Sequence, residues 1–393
     1  MGYGVKEIDV DCIYETGGII TRIDGEKDDP YYCAFKDYFS ERRTTIGCEE
    51  ITPDLVITIG KNGDKIQFDP DLFSLSGSIS FNKEAYRIIK SNYLYTVKNL
   101  FASDKTTEVC FTPVETKKNS IKRIHSSIIG SRISELGKYN AFVDDIANYS
   151  CLWYIFAMTL MKKRSLFVHC GMMSKNNRGL ILTGTSGCGK TSTMMELITN
   201  SGYSYMAEDF GVLRFDGAMF DMQKKAAVYQ SDIKWGNQYL KRAYSNLRLQ
   251  LRINWEIKKL IGSNPHHFFK PAEIFASNIM HESKVDTGFF LKRIPQNKAL
   301  VCGNIDSQTF AERMKTASFR ELKELYEILS NIRAVGGEEY YDYYPSIHEL
   351  EKRYTSIAND ALTGVECYEI AVPLNVDPVD TANSILSISE RDN

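Results

Sequence analysis

The sequence predicts a smaller β-rich N-terminal domain over residues 1–125. An α/β domain over residues 126–393 follows, with a mostly parallel central sheet that carries a phosphate-binding loop. Three observations carry this. Short β-type runs fill the first part and long helical periodicity is absent there. A glycine-rich loop at residues 184–191 sits between an apolar strand and a helix. The strand–loop–helix–strand series around it has the pattern of a βαβ unit.

In the N-terminal part the clearest piece is Leu55-Val56-Ile57-Thr58-Ile59, then Gly60-Lys61-Asn62-Gly63-Asp64 and Lys65-Ile66-Gln67-Phe68. Two β runs around Asn-Gly predict a hairpin. Further strands are expected over Tyr93–Leu100 and Glu108–Phe111. Lys117-Lys118-Asn119-Ser120 reads as a linker and residues 141–163 as a linking helix. The apolar stretch from Tyr149 to Met161 is shorter than the about 20 residues that a bilayer requires, so a buried helix is expected.

Leu166-Phe167-Val168, Leu180-Ile181-Leu182 and Tyr203–Ala207 read as strands, and Thr191–Thr199 as a helix ended by Asn200-Ser201-Gly202. Leu249, Leu251, Ile253, Trp255 and Ile257 alternate with polar residues, which predicts a half-buried strand. Ser318-Phe319-Arg320-Glu321 has the form of a capping box before a helix with apolar residues from Leu322 to Ile332, stopped by Gly336-Gly337.

Composition narrows the function classes. The chain has 393 residues, 43% hydrophobic and 25% charged, with net charge −2. That balance argues against nucleic acid or an anionic membrane as partner, since both call for a positive excess. The basic run Lys224–Lys259 reads first as a solvated face, then as a groove for an acidic peptide or a phosphate. Nine cysteines with no C-x-x-C pair fit a reducing compartment. The first residues lack an apolar secretory core, so the expected location is cytoplasmic.

Gly184-Thr185-Ser186-Gly187-Cys188-Gly189-Lys190-Thr191 matches G-x-x-x-x-G-K-[ST] in full. Glycines let several amides face one anion, and the helix start adds partial positive charge. Lys190 is placed to reach the β- and γ-phosphates and Thr191 to offer a hydroxyl to Mg²⁺. Such a loop does not read the base, so ATP is the expected nucleotide and GTP stays open. Glu208-Asp209 closes the next strand, where ligands of open α/β sheets collect. The pair is either a metal and proton-acceptor site or an ordinary acidic strand end. Asp209-Phe210-Gly211 spells a protein-kinase triplet, but no H-R-D segment accompanies it. His169, alone on an apolar strand, reads by itself as a core residue.

These residues together resemble the HPr kinase/phosphorylase family, whose wider group includes the PEP carboxykinases. The resemblance rests on His169-Cys170-Gly171, Gly179–Gly184 with the loop, and Met206-Ala207-Glu208-Asp209. It covers roughly residues 165–215. It implies phosphate and metal roles for Lys190 and Thr191, proton acceptance by Asp209, and an active-site place for His169, while the metal role of Glu208 and Asp209 rests on their place at the strand end. Glu208 stands where the family usually has Asp, and Cys170 where Gly is common. Glu256 is the only stand-in for the family's later metal-binding glutamate. The layout is similar to HPr-kinase-related proteins found beside peptide-modification genes, and Phe289-Phe290-Leu291-Lys292-Arg293 resembles their late strand ending in basic residues. Lys292 and Arg293 are therefore candidate phosphate contacts. Relatives often assemble, which allows a homo-oligomer.

The expectation is a Mg-ATP-dependent kinase that phosphorylates a hydroxyl of a peptide, a small protein or a free metabolite. PEP carboxykinase-type chemistry and a nucleotide-gated binding module are the alternatives from other classes.

Overall fold

Gly17 and Gly18, at φ 59° and 80°, form the two-residue turn that pairs strand β1 (Ile13–Thr16) with β2 (Ile19–Gly25). Positive φ at both positions matches the twist of the paired strands. The structure, a computed structural model, describes residues 13–39, 51–60, 68–74, 77–90, 93–114, 139, 142–143, 145–146, 151–185, 187–222, 224–230, 233, 238–260, 262, 265–295, 301–374 and 376–389. Asp29 caps helix α1 (Pro30–Tyr38), its Oδ1 accepting from the Tyr31 and Tyr32 amides at 2.8 and 3.4 Å. Then come β3 (Leu55–Ile59), β4 (Leu72–Phe73), β5 (Ile79–Phe81), β6 (Ala85–Ile89), β7 (Tyr93–Lys98), β8 (Thr107–Pro113) and helix α2 (Cys151–Lys162).

The chain continues with β9 (Ser165–Lys175), β10 (Arg178–Gly184), α3 (Lys190–Asn200), β11 (Ser204–Ala207), β12 (Phe210–Arg214), β13 (Ala218–Phe220) and β14 (Ala226–Tyr229). Helices α4 (Gln238–Asn246) and α5 (Leu249–Leu260) precede β15 (His266–Phe269), α6 (Pro271–Phe275), β16 (Glu282–Ile294) and β17 (Val301–Ile305). The last elements are α7 (Ser307–Glu321), α8 (Lys323–Gly336), α9 (Ile347–Ala361), β18 (Glu366–Pro373) and α10 (Pro378–Ser389). Two compact units result: residues 1–163 with 321–353, and residues 164–320 with 354–393. The boundary expected near residue 125 and the linker at Lys117–Ser120 lie outside the described residues.

In the first unit one sheet runs β1-β2-β3-β8-β7-β6-β5-β4. β3 is paired on both edges, in parallel, by β2 and β8. The expected hairpin between residues 55–59 and 65–68 is therefore not the pairing of β3, while residues 61–67 lie outside the described set. Every residue of α2 from Cys151 to Met161 is buried, as an all-apolar helix requires.

In the second unit β9 and β10 form a hairpin through Asn176 and Asn177, both at positive φ (54° and 64°). β10, β16 and β18 lie side by side and run parallel. β9, β11, β12, β13 and β17 pair antiparallel. The expectation of a mostly parallel sheet is thus corrected to a mixed one. The reason is local: the Asn176-Asn177 turn folds β9 straight back on β10, with no crossover helix between them. α3 and α10 pack together against this sheet, and Leu182, Met194, Leu197, Phe289, Ile370 and Ile385 share one core.

Residues 249–260 form helix α5 rather than a strand. Leu, Gln, Arg, Glu and Lys favour helix, and only Trp255 of the alternating set is buried. Ser318 lies inside the last turn of α7, so it caps nothing. α8 does run to Gly336, burying Leu325, Ile328, Leu329 and Ile332 as expected. Among the described residues no helix is long and apolar enough to cross a membrane.

Candidate active site

The loop begins where β10 ends. Gly184 has φ 149°, and a Cβ there would lie 2.3 Å from the Leu291 carbonyl oxygen of β16 and 2.9 Å from Cys188 Sγ. Only glycine fits that position. Gly187 and Gly189 also have positive φ (74° and 95°), and no side chain caps the start of α3. The first helical amides are left for a ligand. Buried Lys190 curls back under the loop, its Nζ donating to the Gly184 and Thr185 carbonyls at 3.0 and 3.3 Å. Cys188 is buried beneath it, its thiol pushed up by that burial. Ser186 is outside the described residues.

Strand register brings the other candidates to the same level. On one edge of β9, Cys170 pairs with Thr183, next to the loop. On the other edge β11 pairs with Met172–Ser174 and β12 with Ser165–His169. Glu208 and Asp209 form the break between those two strands, and the Cys170 amide donates to the Asp209 carbonyl at 3.1 Å. Asp209 has φ 64°, uncommon for a residue with a Cβ. Thr191 Oγ1 donates to Glu208 Oε1 at 3.0 Å. The loop, His169 and the acid pair thus meet at the C-terminal end of β10, beside the middle of β9.

His169 is buried. Its amide donates to Ser318 Oγ at 3.0 Å, its carbonyl accepts from Thr183 Oγ1 at 2.9 Å, and its ring meets Phe210 edge-on at 5.7 Å. Its Nδ1 has no hydrogen-bond partner. Burial first, then the charges of Lys190, Lys224 and Arg320, push the imidazole down to about 4 against the pull of Asp209. It is neutral at physiological pH.

Lys224 was legible only as part of a solvated basic run. It is buried, its Nζ 3.0 Å from Asp209 Oδ2 and 4.6 Å from the centre of the Phe210 ring. Burial pushes the Asp209 carboxyl up, but Lys224, with His169 and Lys190, outweighs it and holds the group below the usual carboxylate value. Arg293 reaches the loop, donating from Nε to the Gly187 carbonyl at 3.2 Å and from Nη1 to Pro373 at 2.6 Å. Lys292, on the opposite face of β16, is exposed. Glu256 lies on α5, bonded to Tyr244 and Lys259.

The donors that converge near the loop are a hydroxyl and two carboxylates, which are hard oxygen ligands. No group of three or more His, Cys, Asp or Glu side chains suited to a metal occurs among the described residues. This set fits Mg²⁺, which takes one or two carboxylates and completes its shell with substrate phosphates and water. It does not fit a closed zinc site.

Comparison with protein-family models finds no match, and neither does comparison with curated proteins. Among solved structures, the Hpr(Ser) kinase/phosphatase from Coxiella burnetii matches with a TM-score of 0.27 and 9% identity, covering 57% of this chain and 97% of that one.

Proposed function

We propose that this chain is a Mg-ATP-dependent kinase that transfers the γ-phosphoryl group to a hydroxyl, with serine or threonine of a peptide or small protein as the acceptor. One observation carries the reading: strand register puts the anion-binding loop and the Lys224-held carboxylate of Asp209 on either side of a single strand, β9. The loop amides and the start of α3 receive the phosphates. Lys190 exchanges the Gly184 and Thr185 carbonyls for β- and γ-oxygens, and Arg293 adds charge beside Gly187. Thr191 and Glu208, with Asp209 beside them, would hold Mg²⁺, which when bound neutralises charge on the phosphate oxygens. The acceptor oxygen forms its bond to γ-phosphorus as the bridging oxygen leaves with the diphosphate. The hydroxyl proton passes to Asp209. Such transfers depend chiefly on positioning and charge stabilisation, and the fixed carboxylate supplies the first. His169, held neutral, adds no further positive charge beside Lys190 and Lys224.

The experiment follows phosphate addition to candidate peptides by intact mass. Lys190→Ala abolishes nucleotide-dependent transfer. Asp209→Asn abolishes transfer while ATP binding persists, and an Asp209→Asn protein that phosphorylates at the normal rate would sink the mechanism.

A further inference from the structure

In the first unit the segment between α8 and α9 borders a cleft of about 350 Å³. Buried Met158 and Met161 of α2 and buried Leu350 of α9 line it, together with Phe101, Tyr341 and Tyr343. Tyr341 and Tyr343 are 42% and 45% exposed, so a solute can reach the cleft. Their rings are held by cations: Arg333 lies 3.8 Å from the centre of the Tyr341 ring and Lys83 5.8 Å from that of Tyr343. Sites for small molecules are mostly apolar clefts of about 300–1,000 Å³ with a few placed polar groups. This one lies at the small end, the size of a single small metabolite and not of a chain.

The charged side chains on the cleft identify what it takes. They are Lys162, Asp342, Glu349 and Arg353, and two of them are already engaged. Lys162 Nζ donates to the Asn99 and Lys105 carbonyls and to Thr107 Oγ1 at 2.6, 3.2 and 2.8 Å, which uses all three of its donors. Glu349 Oε2 accepts from the Ser346 amide and hydroxyl at 2.6 and 2.8 Å and so caps the start of α9. The other two are open. Arg353 is exposed and makes one hydrogen bond among the described residues, from Nη2 to the Met161 carbonyl at 3.0 Å, so most of its N–H fork is unused. Asp342 is exposed and makes neither a hydrogen bond nor an ion pair with any described residue. The cleft thus presents one cation and one anion that pair neither with each other nor with anything else described.

A ligand that meets both carries a carboxylate for the guanidinium and an ammonium for the aspartate. A dicarboxylate would bring like charge to Asp342, a diamine would bring it to Arg353, and an uncharged molecule would use neither. An α-amino acid bears both charges on one carbon, which leaves its side chain for the apolar lining, whereas an ω-amino acid has its chain between them. We infer that this cleft binds a free α-amino acid with a large apolar side chain, its carboxylate on Arg353, its ammonium on Asp342 and its side chain against Met158, Met161 and Leu350. Methionines adapt to side chains of differing shape, so the site takes the class and not one member of it. The site lies within the first unit and does not rest on the kinase reading.

The test titrates the full chain, without nucleotide, with L-leucine, L-methionine and L-phenylalanine in a calorimeter. At least one should bind saturably with a Kd below about 1 mM. For the tightest of them, the analogue without the amino group and the analogue without the carboxylate (3-phenylpropionate and phenethylamine in the case of phenylalanine) should each bind at least about tenfold more weakly, a difference of about 1.4 kcal/mol. Arg353→Gln and Asp342→Asn should each weaken binding of the amino acid about tenfold, with the melting temperature of the ligand-free protein unchanged, since both positions are exposed. Asp342→Asn should not weaken binding of the analogue without the amino group, which has nothing to place on that carboxylate. The inference is overturned if none of the three amino acids binds, if either analogue binds as tightly as its parent, or if either variant binds as the wild type does. Tighter binding of a dipeptide with the same side chain at its N-terminus also overturns it and makes the cleft a site for a peptide end.

Discussion

Asp209 sits in a left-handed backbone conformation that costs of order 1–3 kcal/mol for such residues. Two contacts hold it there: the Cys170 amide on its carbonyl and Lys224 on its carboxylate. On the proposed mechanism Lys224 acts through Asp209 as a positioning residue. Lys224→Met removes the charge, both from Asp209 Oδ2 and from over the Phe210 ring. The expected result is a fall in kcat of about 100-fold, the cost of a misplaced catalytic group, with KM for ATP little changed and partial recovery in Lys224→Arg. A loss confined to KM would show that Lys224 serves nucleotide binding instead. His169 gives a pH test. Its folded value of about 4 lies below the ordinary 6.5, so between those values the unfolded chain binds more protons and stability rises with pH. The contribution is complete above pH 6.5, falls away as pH drops toward 4, and amounts to about 3 kcal/mol. Urea midpoints compared from pH 4 to 7 should show a flatter curve for His169→Asn, and parallel curves would mean that the imidazole is not buried neutral.

At the level of elements, the β10–loop–α3 unit was legible because everything that defines it is local: an apolar run, glycines where φ is positive, then helix formers from Met194 to Leu197. Its constraint is testable at Gly184. An alanine Cβ would press on the Leu291 carbonyl, which belongs to the parallel β16 and cannot swing aside. Gly184→Ala should therefore cost about 1–3 kcal/mol by overpacking and weaken nucleotide binding, measured by urea unfolding and by calorimetry with ATP. Unchanged affinity would mean that the loop reshapes freely. α5 was misread because its sequence satisfies two periods at once. Leu249, Leu251, Ile253, Trp255 and Ile257 alternate, while Leu249, Ile253, Ile257 and Leu260 recur at helical spacing. Helix-forming residues between them favour the second period. Lys224 escaped notice for a different reason: the path through β12 and β13 returns it to Asp209, fifteen positions away, and no local pattern records that.

Across the whole chain, each unit is completed by a segment from its far end, which no local reading foresees. β18 enters the second sheet between β16 and β17, and α8 joins the first unit. Within that first unit a buried relay depends on the late segment. Tyr86 donates to Tyr154 at 3.1 Å, Tyr154 to Tyr95 at 3.0 Å, and Tyr95 to Glu324 Oε1 at 2.7 Å. Burial pushes all three phenols up, so each remains a protonated donor, and a row of donors needs an acceptor at its end. Glu324 is that acceptor, with Lys90 on the same oxygen at 2.7 Å. Glu324→Leu strands the Tyr95 hydroxyl and removes the counter-charge of Lys90. Leaving a buried donor unmade costs about 1–3 kcal/mol, whereas removing both partners is close to neutral. Glu324→Leu should lower the urea midpoint by that much, Glu324→Gln by less because its amide oxygen still accepts, and adding Tyr95→Phe to Glu324→Leu should cost little more, because it exchanges a stranded Tyr95 hydroxyl for a stranded Tyr154 one. Additive losses in the double variant would show that the two groups, 229 positions apart, are not coupled.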